Sequence, residues 1–555
     1  MYKQVLDPVS HSLGLTSIFA ILPLLVLFVL LGVLRVKAQW ASLAALGVAI
    51  IVAIAVYSMP VGQSLDAGAE GAAFGFFPIM WIVINALWIY NLTAETGHFA
   101  VLRRAFTQIS EDLRVQVIMI AFCFGSLLEA LAGFGTPVAI CGVMMVALGV
   151  RPIKAASLAL LADTAPVAFG AIAIPIITLA ETSGVPKHLL SEMVGRQCPI
   201  LAFFIPFLLI VMASGIRSVR GVWPAALTAG GTFAVMQFVT SNYISAELTD
   251  IIASLSSAAA LLALMQVWSP AAPLSSDEEG LGTLPPLAGA SAEDVSLARR
   301  TRAEEGQPIS RGEMFTAFVP YVIIIVVLGV CSITSITADL DKLTTEFSWP
   351  GLHVVDPTGA PLTSETYKLN WLTAAGTQLL VAGLLSTLAL RVNPARAVFV
   401  YLKTLRELAW PILTVSAVLA LAYVMNFSGQ TVTLGTWAAG AGGFFAFLSP
   451  IIGWFGTAVT GSDTSTNSLF GALQTAAAKQ SHLSAVLLAG ANSSGGVLAK
   501  MISPQNLAIG AAAVGLGGRE GDIFRRVLPW SIGLILAMGV LVLLQSTAVL
   551  SWMVP

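Results

Sequence analysis

Glu129, Asp163, Asp463 and Lys500 lie inside long apolar stretches of this chain, and Arg196 opens another. An ionisable side chain at the centre of a membrane span costs about 2.5–3.5 kcal/mol to insert, so each should have a task or a partner. A carboxyl away from water is cheaper as the neutral acid than as the anion, which makes Glu129, Asp163 and Asp463 candidates for taking up and releasing a proton. Lys500 has two readings: it pairs with Asp463 or Glu129, or it holds a substrate carboxylate. Arg196 is a second candidate for an anion, although a side chain reaching toward the interface also explains it. Structural roles compete for the acids too. Glu129 fits a hydrogen-bonded packing device between helices, and Asp163 and Asp463 fit helix caps that satisfy backbone N–H groups. None of the five histidines (His11, His98, His188, His353, His482) is central to an apolar stretch, so no histidine proton relay is expected.

The surroundings of these residues say how they must be positioned. Glu129 precedes Gly133 in Phe124-Gly-Ser-Leu-Leu-Glu-Ala-Leu-Ala-Gly-Phe-Gly135, and Asp163 lies in Leu161-Ala-Asp-Thr-Ala-Pro-Val-Ala-Phe-Gly170. Asp463 belongs to Thr460-Gly-Ser-Asp-Thr-Ser-Thr-Asn467, a run dense in hydroxyls and amides, and Lys500 follows Ala491-Asn-Ser-Ser-Gly495. Gly, Pro and short polar residues break helices, and a break at membrane depth is tolerated only where it faces a cavity or other protein. Segments 136–149, 154–181, 463–478 and 484–516 are therefore expected to be half-helices or re-entrant pieces.

The rest of the chain must hold them. Of its 555 residues 57% are hydrophobic and 10% charged, against roughly 25% charged in a soluble protein. That excludes a soluble enzyme and predicts an all-α polytopic membrane protein of 12–14 transmembrane helices. Full spans are expected at 13–34, 38–59, 72–92, 114–132, 197–214, 223–241, 251–267, 314–336, 369–391, 410–427, 434–456 and 529–553. Lys and Arg concentrate around 35–37, 103–114, 217–220, 391–406 and 519–526, which marks these as cytoplasmic and places both termini outside. Asp66 and Glu70 fall in an outer loop at 60–71, and Glu247 and Asp250 in another at 242–250. Residues 269–312, rich in Pro, Gly, Ser and charge, read as a flexible cytoplasmic linker. A net charge of −2 gives no reason to expect nucleic acid, and Cys123, Cys141, Cys198 and Cys331 lack the paired spacing of a metal site or disulfide framework.

Gly133 and Gly461 have similar settings 328 residues apart, and Ala162 and Ala491 open similar polar runs at an offset of 329. The charge rule gives the two copies opposite orientation. The expected organisation is a first half at 1–217, a connecting transmembrane pair at 218–268, the linker at 269–312, and an inverted second half at 313–555. Inverted repeats whose broken helices meet near the midplane are the design of secondary transporters.

The motifs Phe122-Cys-Phe-Gly-Ser-Leu-Leu-Glu-Ala-Leu-Ala-Gly-Phe-Gly-Thr-Pro-Val138, Thr164-Ala-Pro-Val-Ala-Phe-Gly170, Met193-Val-Gly-Arg-Gln197, Thr460-Gly-Ser-Asp-Thr-Ser465 and Lys500-Met-Ile-Ser-Pro-Gln505 resemble the L-lactate permease family of bacterial carriers. The resemblance runs over nearly the whole chain. It departs at Asp163, where the family pattern has Asn. It implies import of L-lactate with a proton across the inner membrane, by alternating access, with glycolate and D-lactate as related substrates and no cofactor or metal. The substrate would then meet Gly133, Thr136, Thr164, Ser462, Thr464, Ser465, Asn467, Asn492, Ser493, Lys500 and Arg196, and the proton Glu129, Asp463 or Asp163. Two rivals stay open. A sodium-coupled or other organic-anion carrier would use the same hydroxyls, and a membrane-embedded protease would use Asp163 and Asp463 as a carboxylate pair.

Overall fold

In hydrocarbon the backbone must satisfy its own hydrogen bonds, and this chain does so almost entirely as helix. The computed structural model describes residues 1–98, 100–101, 110, 112–133, 135–270, 310–331, 333–359, 362 and 366–555. Among these, twelve helices are long and apolar enough to cross a membrane, or up to thirteen if Pro152–Ala162 and Val167–Ser183, bent by 64°, are one span. Most of the expected 269–312 linker lies outside the described residues, as do Arg103 and Arg104.

The spans begin at Leu13, Ala38, Val61, Leu113, Lys187, Ile216, Thr249, Gly312, Ala409, Gln430, Ala485 and Glu520. Several start earlier than their apolar windows do. Val61–Glu95 reaches eleven residues upstream of the expected 72, and Thr249–Val267 starts two before its window, so three acids assigned to outer loops, Asp66, Glu70 and Asp250, are inside helices. Glu70 in Val61–Phe74 and Asp250 in Thr249–Val267 are each only 1% exposed. The last long helix is Glu520–Gln545, shifted from the expected 529–553, with Pro529 accommodated inside it.

Most of the short pieces are real interruptions, but Ala485–Ile502 counts among the twelve spans, and the full span expected at 369–391 is instead the shorter helix Ala375–Ala389. Thr136–Ala147, Pro152–Ala162, Gly170–Ser183, Asp463–Ser481, Ala485–Gly496 and Pro504–Ala513 are separate α-helices, and the last two are joined through a 3-10 turn at Val497–Ile502. Small residues let them approach closely, as in membrane helix packing generally. A Cβ on Gly453 would run into the Asn492 carbonyl, and one on Gly495 into that of Pro450. Phe445–Thr460 and Ala485–Gly496 therefore touch backbone to backbone, which presents Asn492 and Ser493 to the neighbouring Asp463 helix.

Among the described residues, strand structure is confined to two small ladders outside the spans. Tyr2–Lys3 pairs in parallel with Val354–Val355, and Thr345–Ser348 pairs antiparallel with Thr366–Leu369. At the other end of the chain Arg196 Nη1 donates to the Met553 carbonyl at 3.1 Å and Arg196 Nε to Asn242 Oδ1 at 2.8 Å. A cavity of about 400 Å³ is bounded by Glu247 on one side and Thr337 and Thr373 on the other. The N-terminus, residues 337–359 and 366–373, the turn at 244–248 and the C-terminus therefore share one face of the molecule.

Candidate functional site

Left-handed glycines build the site. Gly133 (φ +58°) and Gly135 (φ +80°) end the helix Gly125–Leu131 and start Thr136–Ala147. Gly461 (φ +76°) does the same between Phe445–Thr460 and Asp463–Ser481. Each is a conformation that L side chains adopt at a cost and glycine adopts freely. The helices stop near Glu129 and restart near Asp463, so both acids sit at interruptions rather than on continuous rods.

Lys500 Nζ lies 2.5 Å from Glu129 Oε1 and 3.1 Å from Asp163 Oδ2. The three side chains are 7%, 5% and 3% exposed. Of the two partners expected for Lys500 the structure selects Glu129 rather than Asp463, and it adds Asp163. The cap expected of Asp163 is not its role, since its carboxylate faces a lysine 337 positions away. Glu129 Oε2 and Asp163 Oδ1 have no hydrogen-bond partner. With all three groups ionised the cluster carries one net negative charge inside the membrane protein. The backbone beside it is unusual. Ala171, Ile172 and Ala173 have φ of +45°, +59° and +58°, a left-handed turn costing roughly 1–2 kcal/mol per residue. It follows Gly170, where a Cβ would sit 2.8 Å from Glu129 Oε1.

Asp463 belongs to a second network. Ser493 Oγ donates to Asp463 Oδ2 at 2.6 Å and Asn467 Nδ2 at 3.2 Å. Asn467 Nδ2 also reaches Ser493 Oγ and the Pro175 carbonyl, both at 3.1 Å, and Asn492 Nδ2 donates to Asn467 Oδ1 at 2.9 Å. Gln474 Nε2 donates to Asn492 Oδ1 at 3.1 Å, which extends the chain to Ser449. The cap of this helix is Ser462, whose hydroxyl accepts from the Ser465 N–H at 3.3 Å, so Asp463 is released from the capping role considered for it. Asp463 Oδ1 has no partner, and a Cβ on Gly496 would collide with it.

The two networks border one cavity of about 60 Å³, room for a few waters. Its walls include Glu129, Gly133, Ser462, Asp463, Thr464 and Lys500. Asn467, Asn492 and Ser493 stand behind Asp463. Thr136 and Thr164 are not in the wall, and Thr164 Oγ1 donates to the Leu161 carbonyl at 2.7 Å. Arg196 is elsewhere, held by Glu192 at 3.0 Å, Asn242 and the C-terminal segment. Three contributors were missed from sequence. Gln505 and Asn506 line the cavity, with Asn506 Nδ2 on the Gly461 carbonyl at 3.2 Å. Their signal was Ser503-Pro504, a helix start that puts the next polar residues at a half-helix N-terminus. Gln474 shares the helical face of Asp463 and Asn467, a spacing visible in the sequence.

Twelve apolar spans with a sequestered, charge-bearing polar centre where interrupted helices meet define a polytopic helical membrane protein. The L-lactate permease family model matches residues 16–549, and the chain belongs to that family. It is 39% identical to the L-lactate permease of Bacillus subtilis (strain 168), with both chains covered in full. It is 38% identical to the L-lactate permease of Escherichia coli (strain K12), again over all of both chains. Glycolate permease GlcA of the same Escherichia coli strain is also 38% identical, over 98% of each chain. The protein is a membrane permease and not an enzyme, which removes the protease reading of Asp163 and Asp463.

Proposed function

We propose that this protein carries L-lactate and related 2-hydroxymonocarboxylates, glycolate and D-lactate among them, into the cell together with a proton. The observation that carries the reading is Lys500 held between two carboxylates at the wall of a small cavity. A monocarboxylate arriving alone would raise the cluster's charge from −1 to −2 in a region of low dielectric. Arriving with one proton it leaves the charge unchanged. A protonated Glu129 or Asp163 releases part of Lys500, whose ammonium then donates to the substrate carboxylate. Ser462 and Thr464, at the N-terminus of Asp463–Ser481, offer further donors to an anion. The 2-hydroxyl needs a donor–acceptor partner, which Asn467 and Ser493 supply once Asp463 is protonated and loosens its hold on them.

The same reading takes residues 1–217 and 313–555 as inverted halves about the connecting pair 218–268, rocking to expose the cavity to either side in turn. The matched interruptions at Gly133 and Gly461 support it, as do the pieces that follow each of them. The face that carries both termini is read as periplasmic, because Arg217, Arg220, Arg391, Arg396, Lys403 and Arg406 fall in the segments on the other side.

Counterflow in proteoliposomes with a panel of acids, with and without Na⁺, tests the assignment. Lactate and glycolate should exchange in the absence of Na⁺, and propionate, lacking the 2-hydroxyl, should exchange at least about tenfold more slowly, the usual cost of leaving buried polar groups unpaired. A strict Na⁺ requirement would favour the sodium-coupled alternative, and equal exchange of propionate would remove the hydroxyl contacts.

A further inference from the structure

Asp250 has no place in the site just described, yet it is as secluded as the acids that form it. It is 1% exposed, and its Oδ2 has no hydrogen-bond partner. It stands in the first turn of Thr249–Val267, but that helix has Leu248 at its N-cap and no side-chain cap bond, so capping does not explain the carboxylate. What holds it is Gln237, fully buried on Val219–Tyr243. Gln237 Nε2 donates both to Asp250 Oδ1 at 2.9 Å and to the Ala165 carbonyl at 3.1 Å. Ala165 is in the break of the bent helix, two residues from Asp163, and its carbonyl is one of the groups the break sets free.

One amide nitrogen thus joins an ionisable group in the connecting pair to the interruption that carries Asp163. Each of the two Nε2 hydrogens serves one acceptor, and an ionised Asp250 pulls the amide toward itself, because a hydrogen bond to a charged acceptor is roughly twice as strong as one between neutral groups. A neutral Asp250 holds the amide less strongly, so that the bond to the Ala165 carbonyl can relax with it. Few other groups bear on the balance. Among the described residues the ionisable neighbour whose charge acts on Asp250 is Glu129 on Gly125–Leu131, Asp250 in turn acts on Cys198 of Lys187–Ala202, and Val219–Tyr243 faces it with the neutral Gln237. Glu247, three residues earlier, is occupied by Lys187 at 2.6 Å and by Ser245. The turn at 244–248, just before Asp250, belongs to the face that carries both termini, so Asp250 and Gln237 link that face to the break beside Asp163.

We propose that Asp250 is a positioning residue for transport, gaining and losing a proton on the terminus-bearing side and setting the bent helix at Ala165 through Gln237. The inference rests on proton-coupled transport as proposed above. It gives the connecting pair a role in coupling the proton to the break, beyond joining two halves.

The test uses the full-length protein in proteoliposomes and compares wild type, Asp250→Asn, Asp250→Glu and Gln237→Leu. Asn keeps an acceptor for Gln237 and cannot titrate. Asp250→Asn should keep lactate exchange within about threefold of wild type, lose about tenfold or more of the accumulation driven by an imposed pH gradient, and flatten its dependence on external pH. Asp250→Glu should restore both, and Gln237→Leu should reproduce the flattened profile. Gradient-driven accumulation in Asp250→Asn equal to wild type, with the same pH profile, would overturn the inference. So would loss of exchange and accumulation together, which marks a structural support. If the wild type itself ignores the gradient, proton coupling fails first, and the two failures are told apart by that control.

Discussion

Lys500 has one positive charge to divide between Glu129, Asp163 and, on the proposed mechanism, a substrate anion. The three residues therefore respond differently to substitution. Glu129→Gln leaves Lys500 with a single carboxylate and a neutral cluster, so lactate should bind and exchange without a proton. Accumulation should then no longer follow a pH gradient. Lys500→Met should abolish exchange itself, and it leaves two secluded carboxyls without a counter-ion, a loss of about 3–5 kcal/mol if both stayed ionised. Counterflow, gradient-driven uptake and the thermal stability of both variants separate these outcomes. Comparable exchange in Lys500→Met and wild type would remove the lysine from the binding site. At this scale the sequence shows which charged residues fall in apolar segments and not which of them meet. Glu129, Asp163, Asp463 and Lys500 are conspicuous because charge is rare in apolar segments. The partners of Lys500 are 371 and 337 positions away, and only the packing of the interrupted helices decides that Glu129 and Asp163 reach it while Asp463 turns to Ser493 and Asn467.

At the scale of elements, the helix Lys187–Ala202 and the turn before Asp250 are tied together by Lys187 and Glu247. Burial of the Glu247 carboxyl opposes its ionisation, but the Lys187 ammonium and the Ser245 hydroxyl outweigh it and hold the carboxyl below its usual value. A folded-state value below the unfolded one stabilises above the ordinary carboxylate range near pH 4.3, and the contribution fades as pH falls through the lower, folded value. Lys187 is half-exposed, so the pair is worth at most about 1 kcal/mol. Glu247→Gln should lower the Tm of the purified protein slightly at pH 7, and the difference from wild type should be smaller at pH 3. An unchanged difference at the two values would mean that the pair does not couple to folding. Element boundaries were the least legible part of the sequence. Asp250 and Glu70 read as loop residues because an apolar window discounts the polar first turns of a helix. The two side chains are nevertheless buried, and Gly71 beside Glu70 is packed against the backbone of Leu419. The interruptions were legible for the opposite reason, since Gly and Pro at Gly133, Pro166, Gly461 and Pro504 act locally.

At the scale of the molecule, the cavity draws its walls from both ends of the chain, Glu129, Gly133 and Gly170 from one and Gly461, Asp463 and Lys500 from the other. Thr182 Oγ1 donates to the Asn467 carbonyl at 3.0 Å and Asn467 Nδ2 to the Pro175 carbonyl, so the outer part of the bent helix is fastened to the Asp463 network. Any relative movement of the two parts of the chain must break or remake these bonds and the Lys500 ion pairs. Substrate and proton both act on those pairs, which is why their binding is expected to be linked. The decisive measurement is lactate accumulation in proteoliposomes containing the purified protein, with an imposed pH gradient, acid outside, and the membrane potential clamped. Accumulation should rise with the gradient toward about tenfold per pH unit, the limit for one proton per monocarboxylate, and should collapse when a protonophore is added. Lactate that merely equilibrates across the membrane, whatever the gradient, would contradict the account.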